Sequence, residues 1–102
     1  MNGVAFSQQA QRDMEDIVQY ILNDSGPAPA QHVFDDILAA IGMLVRHPNS
    51  GHRRDELRDQ SLRVWRVHSF LIVYWPDEDP LAVSRVLHGH RDLRLQPTPR
   101  PE

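Results

Sequence analysis

The stretch that decides the fold runs from Leu62 to Leu93 and reads LRVWRVHSFLIVYWPDEDPLAVSRVLHGHRDL. Two apolar runs, LRVWRV with FLIVYW and then LAVSRVLH, are rich in Val, Ile, Leu and aromatic residues, the composition of strands. Between them PDEDP sets a proline at each end of three acids, too polar to extend a strand, so it reads as a hairpin loop. Phe70 to Trp75 is six apolar residues without alternation. Such a strand is covered on both faces or lies centrally in its sheet. The last run stops at Gly89, and the polar cluster HGHRD follows at the end of the sheet. A site for binding or chemistry is expected there.

Working outward, Gly3 to Phe6 (GVAF) reads as a short first strand. Ser7 stands where a helix N-cap is wanted. Ala10, Met14, Ile17, Val18, Ile21 and Leu22 then recur at helical spacing, opposite Gln11, Asp13, Glu15, Asp16 and Gln19. That is an amphipathic helix with acids in its early turns. NDSGP ends it, and Pro27 and Pro29 suit the first turn of a second helix. Val33, Phe34, Ile37, Leu38, Ile41, Leu44 and Val45 mark the apolar stripe of that helix, which His47 to Gly51 terminates. So short a connection predicts an antiparallel helical hairpin, and the later strands are the surface available to both stripes. Gly51 to Gln60 is charged and aperiodic, a surface loop. The tail Gln96 to Glu102 has three prolines in seven residues and is expected to be disordered. The expected architecture is α+β: a short N-terminal strand, then an antiparallel helical hairpin on one face of a small antiparallel sheet whose other face is open. Residues 1–95 form one domain, with 96–102 as the tail.

The 102 residues carry 40% hydrophobic and 25% charged side chains, ordinary for one soluble globular domain. No apolar run approaches the roughly 18 residues that span a bilayer, and the N-terminus shows no signal-peptide pattern. With no cysteine there is no disulfide framework or thiolate chemistry. The expected compartment is the cytoplasm. All 11 basic residues are arginine, so no side-chain amine is available as a base. The net charge of −3 counts against broad binding to phosphate backbones. No cofactor motif stands out. His88-x-His90 lacks a third ligand, so no metal site is expected. His88 or His90 as general base with Arg91 on a phosphate is chemically sensible, which makes these three the catalytic candidates. Arg85, within an apolar row, is expected to pair with a carboxylate. Arg63 and Arg66 have opposite parity and face opposite sides. Gly89 is expected to free the backbone to turn, so that Arg91 projects from the sheet edge.

On three motifs the chain resembles the ParE/RelE superfamily of toxins from bacterial type II toxin–antitoxin systems, over residues 3–94 in element order. HPNSGHRRDEL (47–57) is similar to the family's P-x-x-G-x-x-R-x-x-L, LRVWRVHSFLIVYWP (62–76) to its L-R-x-[WF]-x-V-x-x-[FY]-L-I-x-Y, and VLHGHRDL (86–93) to its V-L-H-G-x-R-D-[IL]. The resemblance implies one of two activities. ParE-like members poison DNA gyrase by binding; RelE-like members cut mRNA on the ribosome. The RelE type uses Lys and Arg on an open sheet face and a Tyr near the C-terminus. This chain has no Lys, apolar Phe70-Leu71-Ile72 where that type places an Arg, and no Tyr after Leu95. The expectation is therefore a ParE-like toxin that binds gyrase and catalyses no reaction, with a RelE-like ribosome-dependent endoribonuclease as the alternative. The implied partner is a small antitoxin, expected to be of ribbon-helix-helix type and to carry any DNA binding. The residues expected to meet the target are Arg91, His88, His90 and Arg63. Those expected to meet the antitoxin are Ile17, Ile21, Phe34, Ile37 and Ile41.

Overall fold

Ser7 starts the first helix and bolts it to the sheet. Its Oγ accepts from the Ala10 N–H at 2.9 Å, the expected N-cap, and donates to the Ser84 carbonyl at 2.7 Å. The structure is a computed structural model describing residues 3–101. Along it run β1 (Val4–Phe6), α1 (Gln8–Ser25), α2 (Pro27–Arg46), a 3-10 turn at Pro48–Ser50, β2 (Arg63–Val67), β3 (Phe70–Trp75), β4 (Leu81–His88) and a second 3-10 turn at Leu93–Leu95. Gly26 alone separates the helices. At a φ of 93° it donates its N–H to the Ile21 and Leu22 carbonyls and hands over to Pro27, so the chain reverses in one residue.

The sheet order is β1-β4-β3-β2. β2, β3 and β4 form the expected antiparallel meander, with PDEDP as the β3–β4 loop. β1 departs from the expected antiparallel sheet, because it pairs parallel to β4, Val4 opposite Leu81. Two hairpins in succession return β4 to the direction of β2 and leave one free edge, which β1 fills.

The expected open face is closed. Toward the helices, Phe70, Ile72, Tyr74, Leu81, Val83 and Val86 meet Ala10, Met14, Ile17, Ile21, Ile37, Ile41 and Leu44. On the other face Val64, Leu71, Val73, Trp75, Ala82 and Leu87 are covered by Leu57 and Leu93. β3 is thus central and covered on both sides, the reading its unbroken apolar run invites. The charged loop is more than a solvated connection. His52 bridges to Val64 through two backbone bonds of 2.8 Å, and Leu57 is buried. The chain spends an apolar anchor there because the sheet's second face would otherwise meet water.

Strict alternation fails inside β4. Val73 lies opposite Arg85 while Tyr74 lies opposite Val83, so Ser84 is the extra residue of a bulge. Val83 and Val86 therefore share the helix face, although their parity differs. Arg85 is the expected paired arginine, and its partner is Asp13 of α1. The early acid at Asp13 does not belong to the solvent face of α1, as the spacing suggests, but is buried against the sheet.

Residues 96–101 are docked, in contrast to the expected disorder; Glu102 lies outside the described residues. They have no regular structure, yet the Pro99 carbonyl accepts from Ser84 Oγ at 2.9 Å and the Pro97 carbonyl from Arg85 Nη1 at 3.1 Å. The Arg100 guanidinium lies 4.4 Å from the Trp75 ring centroid and pairs with Glu78. Prolines remove N–H donors but keep carbonyl acceptors. Buried Ser84 and Arg85 supply donors, so a proline-rich strand without a ladder still fits here.

Candidate functional site

β3 and β4 end together, Phe70 opposite His88, and the Gly89 N–H closes the ladder on the Ser69 carbonyl at 2.7 Å. The chain then turns, with the Arg91 N–H on the His88 carbonyl at 3.0 Å. Contrary to the expectation, the φ of Gly89 is not in the left-handed region, and what glycine provides here is room. A Cβ there would stand 3.1 Å from the Arg66 guanidinium and 3.2 Å from the Ser69 carbonyl. Glycine lets the Arg66 guanidinium of β2 approach the end of β4 closely.

His88 is the centre of an aromatic group. Its ring lies 4.8 Å from Phe70, 5.7 Å edge-on from Tyr20 of α1 and 5.2 Å from His90. Burial pushes the His88 imidazole below the ordinary histidine value, and the nearby His90 and Arg91 push it the same way. At neutral pH the ring is therefore uncharged. Tyr20 is 58% exposed, an unusual position for a large aromatic side chain. It walls a cleft of about 190 Å³ together with Asp16, Arg85, His88 and Arg91. Arg91 is exposed, and among the described residues no carboxylate pairs with it: Arg94 takes Asp92, and Arg54 takes Glu56. The Arg91 guanidinium is thus left without a carboxylate partner among the described residues.

The expected target-facing set is only partly brought together. His88, His90 and Arg91 are neighbours. Arg63 is not with them: it opens β2 at the opposite end and donates to the Gly51 carbonyl at 2.9 Å, tying the strand to the preceding loop. Arg66 and Tyr20 take its place, and neither was among the expected site residues. Tyr20 was legible as a large aromatic on the polar side of the first helical stripe; the approach of Arg66 to Gly89 was not legible at all.

The expected antitoxin-facing set is mostly withdrawn. Ile17, Ile21, Ile37 and Ile41 are buried in the domain's own core. The sheet and the two helices are large enough to cover them without help. Phe34 alone of the five stays half-exposed. It lines a groove of about 250 Å³ with Phe6, Met14 and Leu38, edged by Gln11 and Glu15.

A third group stands near the same end of the sheet. His32 and Asp36, one turn apart on α2, meet His68 from the β2–β3 turn, with donor atoms all within 4.8 Å of one another. His88 and His90 do not acquire a third ligand of this kind among the described residues.

Three comparisons bear on this architecture. A family model for the ParE toxin of type II toxin–antitoxin systems, parDE, matches residues 4–93. Among solved structures, a chain described as the chromosomal ParDE TA system from P. aeruginosa superposes with a TM-score of 0.71. It is 18% identical, and the match covers 86% of this chain and 96% of that one, a likeness that speaks for the fold. A search of the curated proteins finds no match. With the family model spanning residues 4–93, from β1 to the start of the second 3-10 turn, the chain belongs to the ParE toxin family of type II toxin–antitoxin systems.

Proposed function

We propose that this toxin inhibits bacterial growth by binding and poisoning DNA gyrase in the cytoplasm, and that a cognate antitoxin neutralises it. The observation that carries the reading is the exposed pair Tyr20 and Arg91 flanking an uncharged His88 at the end of the sheet. Tyr and Arg are the side chains that dominate protein–protein hot spots, and an unpaired guanidinium is free to engage an anionic group on a partner. Asp16 lies in the wall of the cleft beside them, and its negative charge disfavours a cleaving site for a phosphodiester. No described helix is long and apolar enough to cross a membrane.

For the antitoxin, the groove of Phe6, Met14, Phe34 and Leu38 offers apolar seats between polar edges, suited to an amphipathic segment of a ribbon-helix-helix protein. Phe34→Asp should weaken that complex by at least tenfold, about 1.4 kcal/mol, while Arg91→Ala leaves it intact.

The test of the main reading is induction of the wild type and of Arg91→Ala, scored for growth, DNA-damage response and mRNA cleavage, with a supercoiling assay on purified gyrase. Growth arrest with a damage response and lost supercoiling is expected, and Arg91→Ala should abolish it while leaving stability within about 1 kcal/mol. Cleavage of mRNA without a damage response would replace this reading with the ribosome-dependent nuclease.

A further inference from the structure

We propose that His32, Asp36 and His68 form a three-ligand site for a divalent transition metal of the zinc class. The inference is independent of the toxin reading. One oxygen of Asp36 is the meeting point of both imidazoles: Oδ2 lies 2.6 Å from His68 Nε2 and 3.3 Å from His32 Nε2. The two rings stand edge to face with centroids 5.8 Å apart. Ligands about 2.0–2.1 Å from a tetrahedral zinc are separated by about 3.3 Å, and two imidazoles on it have centroids about 5 Å apart. His32 and Asp36 already match that edge. His68 needs to back away from the carboxylate by less than an ångström and the two rings to close slightly, within the reach of side-chain rotation. Two imidazoles and a carboxylate are a donor set that zinc, nickel and copper favour, and the exposure of all three side chains leaves a fourth position to water.

The backbone supplies a second, independent argument. His68 holds a φ of 53°, the left-handed region, at the first position of the two-residue turn between β2 and β3. Glycine or asparagine is the commonest residue there; histidine is less common, though among the better tolerated. The turn needs no histidine for its geometry, so the side chain accounts for its presence. That side chain is aimed at α2. His32 and Asp36 sit four apart on the helix, the spacing that puts two side chains on one face. Metal binding would therefore clip the β2–β3 turn to α2 across a segment of more than thirty residues, and would hold the end of the sheet where His88 emerges.

Titration calorimetry of the full chain with zinc chloride, in a buffer that does not chelate, tests this. One equivalent is expected to bind with a micromolar or tighter dissociation constant and to raise the melting temperature by about 5 °C or more. His32→Ala, Asp36→Asn and His68→Gly should each weaken binding by about tenfold or more. His68→Gly is the decisive variant, because glycine suits the turn and the metal-free protein should melt no lower than wild type. Absence of saturable binding, or binding that survives His68→Gly and His32→Ala, overturns the site. Loss confined to His88→Gln or His90→Asn moves the metal to the other histidine pair and overturns it equally.

Discussion

Arg85 of β4 and Asp13 of α1 meet in a bidentate ion pair that water barely reaches. Arg85 Nε donates to Asp13 Oδ2 at 2.8 Å and Nη2 to Oδ1 at 3.1 Å, with the side chains 6% and 8% exposed. The same Oδ2 accepts from the Val86 N–H at 3.0 Å, and Gln9 donates to Oδ1 at 3.1 Å. One carboxylate thus satisfies the donors that the β4 bulge frees, and locks α1 to the sheet.

Removing Asp13 should cost far more than the pair itself contributes. Asp13→Leu leaves a buried guanidinium and a buried backbone N–H without their acceptor, and a loss of about 3–5 kcal/mol is expected in urea denaturation. Combining it with Arg85→Met, which removes the charge too, should recover part of the loss. A double variant no more stable than the single would show that the pair is not the origin of the cost.

His88 should make stability depend on pH in a definite direction. Its proton is held less tightly in the folded chain than in the unfolded one, because the ring is desolvated and faces His90 and Arg91. Below the ordinary histidine value of about 6.5 the unfolded chain binds a proton that the folded chain refuses. Stability therefore falls as pH drops through that value, and the fall ends once the folded value is passed. His88→Gln should flatten this part of the curve of urea midpoint against pH. Parallel curves for variant and wild type would remove His88 as the cause.

Tyr74 ties the sheet to the loop after α2. Its hydroxyl donates to the Pro48 carbonyl at 2.6 Å and accepts the buried Gly51 N–H at 2.9 Å. Burial pushes the phenol above its ordinary value, so it stays protonated and able to donate. Tyr74→Phe keeps the ring and strands both partners, and should cost about 1–3 kcal/mol with little change in the denaturant slope. An unchanged midpoint would mean that water replaces the hydroxyl.

Deleting residues 96–102 should destabilise the domain. The deletion strips acceptors from Ser84 and Arg85 and takes Arg100 from Trp75. A fall in melting temperature of roughly 5 °C or more is expected. A chain that melts unchanged without these residues would show that their contacts contribute nothing to stability.

What the sequence reveals and what it hides divide along physical lines. The hairpin strands, the N-cap at Ser7 and both helices were legible because local pattern fixes them. Asp13 was misplaced because helical spacing does not tell a solvated acid from one awaiting Arg85, 72 residues away. The Ser84 bulge inverts the parity on which strand reading depends. A proline-rich tail reads as unable to pack until the donors it meets are known. At the functional end, His88-Gly89-His90-Arg91 was legible as a polar cluster after a strand. Tyr20 and Arg66 reach it through tertiary packing, and so does His68 reach His32 and Asp36.

The parallel pairing of β1 with β4 sets an order on how the chain is made. Val4 is synthesised well before its partner Leu81. While a ribosome is still extending the chain, the helical hairpin can close on itself, but its apolar stripes have no sheet to rest on. The end of β4 at His88, just before Arg91, is also the last part of the sheet to be translated. A chain interrupted before β4 therefore carries neither a finished core nor the cluster around His88.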